Sequence, residues 1–127
     1  MKIVSLIARN LLGLIFAVFG LNGFLHFIPM PMPTGQAGQF LGVLFTSHYL
    51  LAVVLCEAVG GLLLLANRYV PLALTLLGPV IVNIVLYHLL LDPAGLPLAI
   101  IAVLLWITTA YGVRSAFAGI LQPKVAG

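Results

Sequence analysis

Charge is what this chain has least of: its 127 residues include five Lys or Arg and two Asp or Glu, 6% charged in all, against 64% hydrophobic. A soluble domain carries about a quarter charged residues. So few charges cannot cover a water-facing surface, and the chain needs lipid as its solvent. The five basic residues are scattered and form no patch, which excludes a nucleic-acid partner. Cysteine is nearly absent too. Cys56 stands alone, so an internal disulfide or a CxxC pair is excluded, and dithiol exchange by this chain alone goes with them. The sequence also lacks a Gly-rich phosphate loop, paired catalytic carboxylates, a Ser/His/Asp pattern and the repeated polar rings of an ion channel. A stand-alone enzyme is therefore not the reading adopted.

What is present in abundance is long apolar runs. A spanning helix needs about 20 mostly apolar residues, and four segments supply them, at about 5–28, 49–66, 70–91 and 96–121. The first continues past the length of a signal-peptide core and stops at Pro29-Met30-Pro31-Met32-Pro33, which predicts a retained helix. The second stops at Asn67-Arg68 and the third at Asp92-Pro93. The fourth begins near Leu96, with Pro97 in its first turn. The runs do not alternate, so strands are not expected. The expected fold is all-α, a single-domain integral membrane four-helix bundle.

Lys2, Arg9, Arg68, Arg114 and Lys124 all fall at one end of four alternating helices, and the connections 29–48 and 92–95 hold no Lys or Arg. The positive-inside rule then predicts both termini in the cytoplasm. In the long outer connection, Thr34 is placed to cap a short helix carrying Phe40, Leu41, Leu44 and Phe45. That helix is too short to span and is expected along the membrane surface.

Membrane helices associate by close packing and polar contacts. Gly13, Ala17 and Gly20 on the first helix, and Ala52, Cys56 and Gly60 on the second, make stripes of small residues at helical spacing. Gly78-Pro79 is expected to bend the third helix and free the carbonyl of Thr75.

The polar residues inside the spans are the candidate site. Glu57 falls near the bilayer midplane, where an ionised group costs a few kcal/mol or more. The nearest cations, Arg9 and Arg114, each lie more than a turn nearer the cytoplasm. Asn83 is also deep, and Thr75, Pro79, Asn83 and Tyr87 share a face. Thr108, Tyr111 and Ser115 share one on the fourth helix, and Asn22 and His26 share one on the first. Glu57 with Asn22, Asn83, Tyr87 and Arg9 is the expected polar hub or ligand-binding cavity; the same groups also suit plain interhelical hydrogen bonding. His26, His48 and His88, with Asp92, sit near outer helix ends and are of ligand type for zinc, copper or iron. No local motif such as HxxxH joins them, and a metal site is not the reading adopted.

Arg9-Asn-Leu-Leu-Gly13-Leu-Ile-Phe16-Ala-Val-Phe-Gly20 and Glu57-Ala-Val-Gly60-Gly61, followed by Arg68-Tyr-Val-Pro71, resemble the DoxX family of small bacterial membrane proteins. The resemblance covers nearly the whole chain, and Asn83…Tyr87-His88…Asp92-Pro93 looks like a subgroup feature. It implies a four-helix fold in the bacterial inner membrane and an accessory subunit of a quinone- or thiol-linked redox system. It also singles out Arg9 and Glu57 and makes a quinone the candidate cofactor. The candidate partners are the lipid bilayer, other membrane or redox subunits, and further copies of the chain. Two rival functions stand beside it: a binding or transport module for a hydrophobic small molecule or lipid, using the cavity around Glu57, and a purely structural membrane subunit.

Overall fold

The computed structural model describes residues 2–124. Helices α1 (Lys2–Leu25), α3 (Tyr49–Ala66) and α4 (Val70–Leu90) are each long and apolar enough to span a membrane. So is the stretch Pro93–Gly112, a 3-10 turn running into α5 (Leu96–Gly112). The surface-helix segment is α2 (Gly35–Thr46), and no strand occurs among the described residues. The chain is a multi-pass, all-α membrane protein.

Each span ends for a local reason. His26 takes a left-handed backbone (φ 54°) and its N–H closes on the Asn22 carbonyl, so α1 stops three residues before the expected end. Asn67, also left-handed, ends α3 with its N–H on the Leu64 carbonyl, and the Arg68 N–H reaches the Leu63 carbonyl. That paired closure is a Schellman motif. Tyr69 is left-handed as well, and the chain turns straight into α4.

The fourth span is shorter than its apolar run. The α-helix ends at Gly112, and residues Arg114–Leu121 wind as an exposed 3-10 helix. The change falls where polar groups arrive: Gly112 lies against the Ser5 side chain, and Arg114 turns back to donate to the Tyr111 carbonyl at 2.8 Å. An apolar run gives no sign of this stop.

The bundle is built around the α1–α3 seam, the most extensive helix pair; α4 packs on α3, and α5 on both α1 and α4. Gly13, Ala17 and Gly20 are all buried in the seam, as their spacing predicts. On α3 the contact falls one residue round from the expected stripe. Gly20 lies on the backbone of Ala58, and Gly61 on the backbone of Ala17. Gly60 instead faces the Leu77 side chain of α4, Cys56 is half-buried and Ala52 is exposed. The core proper, with Leu12, Phe16, Leu64, Leu74 and Leu77, sits between α1, α3 and α4.

Pro79 lies inside α4, which continues through it to Leu90. The carbonyl that gains an outside partner is that of Leu74, one residue before Thr75: the Trp106 indole N–H donates to it at 2.9 Å from α5. The indole ring lies over Gly78, where a Cβ would be 3.7 Å away. Trp106→Phe keeps an aromatic ring but loses the N–H and the second ring, so a loss of about 1 kcal/mol or more is expected in a denaturant titration. An unchanged midpoint would show that the bond contributes nothing to α4–α5 docking.

Thr34 occupies the cap position of α2 with extended backbone (ψ 173°), but its side chain makes no cap bond. Only Ala37 of α2 is buried, while Phe40, Val43 and Phe45 remain exposed. Exposed aromatic and branched side chains on a helix outside the spans fit one that lies on a bilayer surface.

Candidate functional site

Glu57 occupies the middle of α3, about 12 Å from either end at the helical rise of 1.5 Å per residue. The residue is 9% exposed, beside the backbone crossing of Ala58 and Gly20. Among the described residues, none donates a hydrogen bond to its carboxyl group, yet no sealed side-chain oxygen lacks a partner. Neither carboxyl oxygen is fully sealed, though the residue as a whole keeps only a small exposed area. Glu57 is a mid-span acid packed in a helix seam, its carboxyl group without a hydrogen-bond partner among the described residues.

The other members of the expected hub are placed elsewhere. Asn22 is buried, and its Oδ1 accepts the Ile28 N–H at 2.7 Å, which ties down the chain leaving α1. Asn83 is exposed and donates to the Pro79 carbonyl of its own helix at 2.8 Å. Thr75, also exposed, donates to the Pro71 carbonyl at 2.8 Å. The Thr75–Pro79–Asn83 face of α4 thus looks out of the bundle, with the Thr75 hydroxyl and one Asn83 N–H donating to carbonyls four residues back. Tyr87 lies near the far end of α4, stacked on Phe40 of α2 (centroids 6.0 Å) and edge-on to His88 (4.9 Å). Neither of the two cavities described is lined by Glu57, Asn22, Asn83 or Tyr87.

The histidines serve turns. His26 and His48 hold left-handed positions, and the His26 ring meets Phe45 at 6.4 Å. His88 Nδ1 lies 3.0 Å from the Asp92 carbonyl. No group of three or more metal-ligating side chains stands together among the described residues.

Arg9 is set at the opposite end from Tyr87, and its guanidinium donates to the Leu64 carbonyl, a cation at the C-terminus of α3. It lines a cavity of about 460 Å³ between the start of α1, the α3–α4 turn and the end of α5. Lys2, Ser5, Asn67, Thr109 and Arg114 share that lining. Thr109 is the residue that spacing missed. Helical spacing puts Thr108 with Tyr111 and Ser115, yet Thr109 is the one that is 1% exposed at the cavity. Two adjacent threonines give no sign in sequence of which turns inward. A second cavity, about 450 Å³, is an apolar groove between α4 and α5 over Gly78 and Trp106.

These features define a class, a small polytopic helical membrane protein with one acid at mid-span and its basic residues gathered at one end. Compared with protein-family models, with curated proteins and with solved structures, the chain matches none.

Proposed function

We propose that the protein is a DoxX-like accessory subunit of the bacterial inner membrane, with both termini cytoplasmic, serving a quinone- or thiol-linked redox system. The observation that supports this reading is Glu57, a carboxyl group at mid-span that no described residue hydrogen-bonds and whose oxygens are not fully sealed. A polar group in hydrocarbon without a hydrogen bond costs several kcal/mol. Such a group is retained for a partner that comes from outside the chain. A quinone moving in the bilayer offers ring carbonyls that accept a hydrogen bond from a protonated carboxyl. A neighbouring subunit offers a donor to an ionised one.

The donor set fits a quinone to the extent of one hydrogen-bonding group in an apolar wall. Glu57 would hold and orient the head group, and the quinone would supply the electron chemistry. The experiment is native mass spectrometry of the protein from host membranes in mild detergent, with and without added benzoquinone-type lipid. A stoichiometric second chain, together with quinone retained by wild type and lost from Glu57→Leu, is the expected result. Equal quinone retention in both and no second chain would sink the proposal and leave the structural-subunit reading.

A further inference from the structure

We propose that the cavity at the basic end of the bundle is a phosphate site, filled by the head group of an anionic phospholipid. Lys2, Arg9 and Arg114, three of the chain's five basic residues, line this one space. Neither of the chain's two side-chain carboxyls lies near them. Glu57 is half-way along α3, and Asp92 follows the far end of α4, about 30 Å from the cavity by helix length. Three like charges around one cavity beside lipid repel one another more strongly than in open water. An external anion removes that repulsion.

Capping does not use up these cations. Arg9 donates to the Leu64 carbonyl and Arg114 to the Tyr111 carbonyl, each through one terminal nitrogen. A guanidinium has five N–H donors in a fixed fork that suits two phosphate oxygens. Arg114 is further held with its guanidinium carbon 4.2 Å from the centre of the Tyr111 ring, which fixes the fork's plane at the cavity wall. Ser5 and Asn67 add neutral hydrogen-bonding groups, while the Thr109 hydroxyl is already committed to the Leu105 carbonyl at 2.8 Å. Val70, the first residue of α4, also lines the space.

Depth argues for a lipid as the carrier of the phosphate. Lys2 and Arg9 are about 10 Å apart along α1 at the helical rise. That range covers the head-group layer, roughly 5–8 Å thick on each side of the hydrocarbon. Leu6, exposed and on the cavity's rim, gives the acyl chains an apolar path down the bundle. Basic pockets between spanning helices are a known means of holding anionic head groups.

The test uses the full chain in mixed micelles of phosphatidylglycerol and phosphatidylcholine, with retained lipid read by native mass spectrometry. Wild type is expected to keep phosphatidylglycerol preferentially. Each basic residue removed should weaken that preference about five-fold, so the Arg9→Gln/Arg114→Gln pair loses about twenty-five-fold. Arg68→Gln, outside the cavity lining, should keep it. The Arg9→Lys/Arg114→Lys pair retains the charge but not the fork and should keep the preference in part, well above the glutamine pair, which separates loss of the site from loss of the fold. Excess inorganic phosphate that leaves the lipid bound identifies the lipid as the occupant. Displacement by phosphate identifies the free anion instead and overturns the lipid assignment. A wild type without preference, or a glutamine pair that retains it, overturns the site.

Discussion

Gly61→Leu should cost the bundle about 3 kcal/mol or more in a detergent unfolding titration, and Gly20→Leu a similar amount. A Cβ at Gly61 would stand 2.8 Å from Ala17 Cα, and one at Gly20 would stand 2.7 Å from Ala58 Cα. Both neighbours are backbone, which cannot rotate away as a side chain can. The only relief is for α1 and α3 to separate, and their seam is the most extensive contact in the molecule. Lipid then fills the gap with no hydrophobic force to drive the helices back, because lipid tails are as apolar as the side chains they replace. Alanine at either position should also be felt, since the clash begins at the first carbon. Gly42→Ala in α2 is the control. Nothing lies within 4 Å of its Cβ position, so a neutral or slightly stabilised protein is expected. If Gly61→Leu unfolds with the wild-type midpoint, the close crossing of α1 and α3 is wrong.

That crossing also shows how far the chain can be read without its structure. The spans were legible because hydrocarbon thickness sets a length that apolar runs either meet or miss. The stripe Gly13–Ala17–Gly20 was legible because three small residues recur at helical spacing on one face. On α3, Gly60 and Gly61 are adjacent, and small size alone does not say which of two neighbouring faces meets α1. The structure gives Gly61 to α1 and Gly60 to α4. The expected polar hub dispersed for a related reason. Asn83 and Thr75 satisfy themselves on carbonyls of their own helix, so they need no interior, and Asn22 holds the turn after α1. Shared helical face is a statement about one helix; convergence depends on how each helix is rotated, which polar spacing does not set. The basic residues carried a topological signal, while their grouping around a cavity needed the turn at Asn67 and the early end of α5.

Glu57 should give the second large effect, and in the opposite direction. Glu57→Leu is expected to raise the unfolding free energy of the isolated protein by about 2–3 kcal/mol, the cost of carrying an acidic residue at the centre of a span. Leucine is close to glutamate in size, and the stem's place beside Ala58 and Gly20 is already apolar. Because no described residue hydrogen-bonds the carboxyl, the substitution strands no partner, and breaking a pair would have given the reverse sign. Glu57→Gln should lie near wild type, since an amide still brings polar atoms into hydrocarbon. The same leucine variant should lose quinone or partner in the binding experiment. Gain of stability joined to loss of association is the pattern expected of a group kept for what it meets outside the chain. Loss of stability in Glu57→Leu would mean that the carboxyl has a partner within the bundle, and the outward-facing role would fall with it.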